Sequence, residues 1–257
     1  MSTAEFGTPA QRPARGGDSR TTRSVWLRTE SSRPRRALPL TLERIVAAAV
    51  ILLDEHGIEG LTMRRLAQQL DVTSTALYWH VKTKDDVLDL AVDRIFGDVP
   101  IPEASADWID DIRALARAWR AAMLRHPWTP RLIGRPMLGP NVLARTEFLQ
   151  SALVRGGHAG LHLAVATRML ANYVIGAALT EATWRQTADP QARISARDHI
   201  AASADAYPTL NASGHLDDSR WNDDVLFEEG LNRVLLATAP TGCRNDSAQD
   251  WADRHTT

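Results

Sequence analysis

The chain has 257 residues, 44% hydrophobic and 24% charged, with a formal net charge of −1, a balance ordinary for a globular protein with ample core. No window approaches the roughly 18 uninterrupted apolar residues of a membrane helix, so no membrane partner is expected. One cysteine, Cys243, excludes an intrachain disulfide and a multi-cysteine zinc site; with no apolar leader ahead of residue 40, the expected setting is the reducing cytoplasm.

The charge is unevenly spread. Residues 1–40 hold eight arginines against Glu5, Asp18 and Glu30, a net of +5, which leaves the remainder at −6. Residues 1–39 also carry Pro9, Pro13, Pro34, Pro39 and Gly16-Gly17 without helical or strand period, so they read as a disordered basic leader. A basic arm on an acidic body is a nucleic-acid footprint, and it is equally the look of a plain leader.

Order begins at Thr41, an N-cap after Pro39. Leu42, Ile45, Val46, Ala49, Leu52 and Leu53 recur at helical spacing, and Gly57 supplies the stop. Thr62 caps a second helix through Leu70, with Leu66, Ala67 and Leu70 on one face. A turn at Asp71-Val72-Thr73 leads into a short helix from about Ser74 to His80. Thr83 and Asp86 form a T-x-x-D pattern that opens a fourth helix to about Phe96. Gly97 to Pro102 reads as the boundary of a head spanning residues 40–97.

The body, residues 98–240, continues as helices at about 106–125, 140–155, 159–187 and 222–238. Residues 188–221 read as a partly helical connector, and 241–257 as a disordered tail. No β-alternation survives for five residues, so the expected class is all-α: a helix-turn-helix head of three helices plus a larger helical body for ligand binding and dimerisation.

The head carries the chemistry. Leu66, Ala67, Leu70, Val72 and Leu77 can form the small core that sets two short helices at a steep angle, with Ala67 letting their backbones approach. The second helix then presents Ser74, Thr75, Ala76, Tyr78, Trp79 and His80 outward. Exposed Tyr, Trp and His suit a DNA major groove better than plain solvent; packing of Tyr78 and Trp79 on the head's own core is the alternative. Tyr78 and His80 can reach phosphates and base edges, and Thr75 and Ala76 offer methyl groups to thymine. Lys82 and Lys84 follow where the DNA backbone would pass, and Arg64 opens the first helix of the pair.

Residues 42–92 resemble the TetR family of bacterial repressors, on Gly57-Ile58-Glu59-Gly60-Leu61-Thr62-Met63-Arg64 and on Leu77-Tyr78-Trp79-His80-Val81-Lys82 at fixed separation. The resemblance implies operator contact by Arg64, Ser74, Thr75, Ala76, Tyr78, Trp79, His80 and Lys84. The family's turn glycine is Asp71 here, a residue that tolerates left-handed backbone. Thr73, Ser74 and Thr75 also depart from tetracycline-repressor-like members, so a shared operator is not implied. In the body, His126-Pro127-Trp128, Arg135-Pro136 and Gly139-Pro140-Asn141 look like the family's tetracycline-repressor-like regulatory domain. No histidine stands between Arg131 and Pro136 to ligate a metal–tetracycline complex, so a different effector is expected and no cofactor.

Candidate effector contacts are large or polar residues at inward helical positions: Trp119, Met123, Trp128, Leu132, Met137, Phe148, Arg168, Met169, Asn172, Tyr173 and Trp184. Plain core packing is the alternative for each. His158 and His162 stand at i, i+4, as in a metal clamp, but lack a third ligand and read as a partly exposed pair. Gly176-Ala177-Ala178 with Leu226, Leu231, Val234 and Leu235 reads as a homodimer seam, where the resemblance places a four-helix bundle. Catalysis is not expected: hydrolase, P-loop, dinucleotide and zincin motifs are absent, and Asp110-Asp111, Asp217-Asp218 and Asp223-Asp224 read as solvated charges. The reading is a repressor that binds a palindromic double-stranded operator as a homodimer and leaves it on binding a small hydrophobic or aromatic effector. An activator, or a regulator sensing a protein partner, would share the fold.

Overall fold

The computed structural model describes residues 39–133, 138–187, 190–217 and 219–238, without the side chains of residues 186, 187, 190 and 193. The predicted leader and tail, and candidate Met137, lie outside the described residues. Among those described, the regular structure is helical throughout, with no strand.

The stretch expected as a three-helix head holds four helices, α1 (Leu42–Gly60), α2 (Met63–Gln69), α3 (Ser74–Tyr78) and α4 (Lys84–Gly97). Each of the four starts on a threonine whose hydroxyl accepts a backbone N–H three residues on: Thr41, Thr62, Thr73 and Thr83. Such a cap satisfies one of the donors that a helix N-terminus leaves free, for about 1 kcal/mol. Thr83 and Asp86 complete the reciprocal capping box. Gly57 interrupts α1 at φ 66°, a left-handed angle that costs glycine little, and a last short turn follows it. Leu66, Ala67, Leu70 and Leu77 are buried against Ile45, Ala49 and Leu53 of α1.

The body comprises α5 (Trp108–Arg125), a short 3-10 turn (Thr129–Arg131), α6 (Pro140–Arg155), α7 (Gly160–Thr187), α8 (Pro190–Ala202), α9 (Pro208–Ser213) and α10 (Asp223–Thr238). The expected connector is thus two helices and their links. Helix α7 packs on α5, α6 and α10. By length and mean hydropathy its stretch Gly160–Arg185 reaches the membrane-helix range, which a count of uninterrupted apolar residues does not register.

The core is continuous from Ile45 to Leu235. Two polar devices join head to body. The Asp93 carboxylate on α4 accepts the backbone N–H of Asn141 at 2.9 Å and of Val142 at 3.0 Å, capping the N-terminus of α6. In return Arg145 of α6 donates to the carbonyls of Gly97 at 3.0 Å and Val99 at 2.9 Å, closing the C-terminus of α4. Further along, the Asp54 carboxylate on α1 accepts from the Trp128 indole at 2.7 Å and lies 2.8 Å from His126 Nδ1.

Several sequence expectations are corrected. Asp111 is not a solvated charge: it is 4% exposed and ion-paired with Arg155. Burial pushes its carboxyl up, but the Ser105 amide and the Arg155 guanidinium outweigh that and hold it below the usual range. His158 is buried, whereas His162 is exposed, so they are not a partly exposed pair. Ala178, Leu231 and Leu235, expected at a dimer seam, are buried within the chain where α7 meets α10; Gly176 and Leu226 are exposed. The reason is geometric. A helix buried on one side by its own chain has a single remaining face for a second copy, and i, i+4 neighbours share one face.

Candidate nucleic-acid interface

Helix α3 is only five residues long, so its placement depends on its flanks. Asp71 adopts φ 54° in the turn before it, the left-handed angle expected where the family has glycine. Val72 N–H then bonds to the Ala67 carbonyl at 3.0 Å, which closes the turn against α2. Thr73 caps α3 through the Ala76 amide at 3.2 Å. Leu77 at 0% and Val81 at 2% exposure hold the inner face.

With that face anchored, the other side chains point away. Tyr78 is 44% and Trp79 79% exposed, and Ser74, Thr75 and His80 are exposed as well; Ala76 is half-buried. Tyr78 and Trp79 packing on the head's own core is therefore not what the fold does with them. A bare indole at the end of a five-residue helix costs roughly the transfer free energy of its apolar area until something covers it. Arg64 is exposed at the start of α2.

The two lysines differ. Lys82 is exposed, and its ammonium donates to the Tyr78 carbonyl at 3.0 Å. Lys84 is half-buried and donates to the Ile58 carbonyl at 2.7 Å, bracing α4 against the end of α1. Between them, Asp86 accepts the backbone N–H groups of Lys82 at 2.8 Å and Thr83 at 3.0 Å. Those bonds, the Lys82 amide first, hold its carboxyl below the usual range. Asp86 therefore serves the cap of α4, and the Lys82 charge lowers its carboxyl further.

The ten body candidates among the described residues do not gather around one cavity. Met123, Trp128 and Leu132 are core, Trp119, Phe148 and Tyr173 are half-buried, and Arg168, Met169, Asn172 and Trp184 are exposed. Asn172 and Tyr173 do line one hollow of about 360 Å³ between α5, α7 and α10, together with Arg120, Thr180, Glu181 and Phe227. Leu132 lines another of about 250 Å³ with Asp89, Val92, Asp93 and Val142. Sequence reasoning missed Arg120 and Glu181. Glu181 is 3% exposed, takes the Arg120 Nη2 at 2.6 Å, and is also ion-paired with Arg185. Arg120 further reaches Asp224 at 2.8 Å and sits 4.7 Å from the centre of the Phe227 ring. A glutamate in an apolar helix was a signal that these charges are inside. No group of three or more metal-ligating side chains occurs among the described residues.

A two-helix unit with an inward leucine and outward aromatic and hydroxyl side chains defines the class: a helix-turn-helix DNA-binding regulator. Comparison with known proteins narrows it. Residues 45–91 match the family described as "Bacterial regulatory proteins, tetR family", and residues 101–237 match "Tetracyclin repressor-like, C-terminal domain". The chain belongs to the TetR family of bacterial transcriptional regulators. An "HTH-type transcriptional regulator" of Saccharopolyspora erythraea is 40% identical over 85% of this chain and 92% of its own. The Streptomyces coelicolor protein ActR, solved in complex with actinorhodin, has a TM-score of 0.71 at 29% identity, over 78% of this chain and 97% of that one. BioQ bound to its double-stranded DNA operator has a TM-score of 0.58 at 27% identity, over 78% of this chain and 99% of that one. Family membership makes this chain a regulator of transcription and not an enzyme.

Proposed function

We propose that the chain is a repressor that binds a palindromic duplex operator as a homodimer and is released by a small hydrophobic or aromatic effector. The observation that carries the DNA reading is the outer face of α3, where Trp79 is 79% exposed beside Tyr78 and His80 while Leu77 beneath is fully buried. Tyr78, His80, Ser74 and Thr75 serve as donors and acceptors to phosphates and base edges, Ala76 as an apolar contact, and Trp79 as a flat surface against the DNA backbone. Arg64, Lys82 and the half-buried Lys84 add positive charge at the flanks.

Dimerisation is supported by apolar side chains left outside on α7 and α10: Leu161 at 77%, Val165 at 47%, Val225 at 58% and Leu226 at 41% exposure. Small-molecule sensing is supported by the hollow at Asn172 and Tyr173. ActR, similar to this chain, has been solved with actinorhodin bound, which supports effector sensing by the same fold. A ligand can act at the head only by favouring one of two body conformations. The Asp93–Arg145 clamp and the Asp54 contacts are the route by which α6 and the segment after α5 reach α4 and α1.

The test is selection of bound sequences from random duplex DNA by the purified protein. One palindrome is expected, lost in Tyr78→Ala/His80→Ala; enrichment no greater than non-specific background at physiological salt sinks the repressor reading. Sedimentation at the concentrations used reads the dimer.

A further inference from the structure

His158 stands in the short link between α6 and α7 and is 4% exposed. Its Nδ1 lies 2.8 Å from the Leu153 carbonyl oxygen and its Nε2 2.6 Å from that of Thr238. Carbonyl oxygens only accept, and a neutral imidazole has one N–H and one lone pair. The neutral ring can therefore make one of these bonds, while the other sets lone pair against lone pair. Only the imidazolium donates to both.

Both acceptors belong to helix C-termini. Leu153 is in the last turn of α6, and Thr238 is the last residue of α10. Carbonyls there have no intrahelical partner and carry the negative end of the helix dipole, so they favour a cation between them. The ring also meets Trp108 of α5 edge-to-face, with centroids 5.4 Å apart.

The ionisable groups on the surrounding elements are engaged elsewhere or exposed. On α5, Asp111 is ion-paired with Arg155 of α6, and Asp110 with Arg113, which also bonds to Asn232 of α10. His162 on α7 and Arg233 on α10 are exposed. No carboxylate lies within ion-pair distance of the His158 ring among the described residues.

We propose that His158 is a proton-operated clasp: doubly protonated, it holds the last turn of α10 onto the C-terminus of α6, and on losing a proton it releases that last turn. The Leu153 bond is the one retained, because it spans five residues and is reinforced by the His158 amide bonding to the same carbonyl at 3.0 Å. The Thr238 bond spans 80 residues and is the tertiary contact at stake. The charged form makes more bonds in the folded state than the neutral form does. The clasp therefore stabilises at lower pH, and its contribution is lost as pH rises.

The experiment uses the full chain labelled with nitrogen-15 histidine, followed by NMR from about pH 5 to 8. His158 is assigned by the signal missing in His158→Gln. Both ring nitrogens are expected to carry protons at the acid end. Loss of one should coincide with a shift of the last-turn amides of α10. The urea midpoint of the wild type should carry a decline with rising pH that is absent from His158→Gln. A single unchanging tautomer across the range overturns the proposal, as does proton loss that leaves the α10 amides unmoved. Parallel pH profiles for wild type and variant overturn it too. Because the NMR reading is made on the wild type, it stands even if the variant folds poorly.

Discussion

Head and body use the same ingredient, a large aromatic or apolar side chain on a helix, with opposite consequences. In the head, a small core of Leu66, Ala67, Leu70 and Leu77 fills with few residues, and the aromatic side chains left over on α3 stand in solvent. In the body, longer helices have enough neighbours to take in Met123 and Trp128 completely, although apolar side chains such as Leu161 on α7 and Val225 on α10 stay exposed. A functional surface is therefore recognisable in a small unit by what its core cannot accommodate. In a large unit a pocket residue and a core residue carry the same sequence signature.

Substitutions can break or sharpen that contrast. The largest losses are expected from truncation inside each core: Leu231→Ala between α7 and α10, and Leu77→Ala under α3, each costing about 2–5 kcal/mol in urea unfolding. Equal small losses would mean the head and body cores are looser than the burial indicates. Next comes Asp111→Asn, which leaves Arg155 without its partner and should cost about 1–3 kcal/mol near neutral pH. Because the Asp111 carboxyl is held below its usual range, its stabilisation is present above that range and is lost as pH falls through it. The wild-type and variant stability curves should therefore converge on acidification, and parallel curves would reject the pairing.

Thr73→Ala removes the cap of α3 and should cost about 1 kcal/mol, with a further loss of operator affinity because the helix that presents Tyr78 frays. Asp71→Gly relieves a left-handed non-glycine residue and should stabilise by roughly 0.5 kcal/mol, whereas Asp71→Val should destabilise. Smallest in stability is Trp79→Ala, expected within about 0.5 kcal/mol of wild type because the side chain is mostly exposed. Its effect should appear in DNA binding, measured by fluorescence anisotropy on the selected operator. A large stability loss without a binding loss would make Trp79 a packing residue and erase the contrast between the two regions.

The fold was largely readable because local chemistry marks each helix start. Thr41, Thr62 and Thr83 are caps in the structure as they are in the sequence, and α5, α6, α7 and α10 of the body fall within two residues of their expected ends. The outward face of α3 was readable for a related reason: with Leu77 inward, spacing turns Ser74, Thr75 and Tyr78 outward, while Ala76, expected outward as well, is half-buried. The effector candidates were not. Met123 and Asn172 both sit on helices of the body, yet one is core and the other lines an open hollow, and helical period does not distinguish them.

What the sequence determined by itself is local: caps, helix lengths, the left-handed turn at Asp71, and the outward face of α3. Those depend on neighbours within a few positions, whose geometry the backbone dictates. Only the tertiary structure decided that Asp111 is buried against Arg155, that Glu181 shares Arg120, and that His158 stands between two helix ends. It also decided that Leu231 and Leu235 face their own chain. Each of these depends on which distant helix arrives to desolvate the group or to satisfy it, and a one-dimensional pattern carries no record of that arrival.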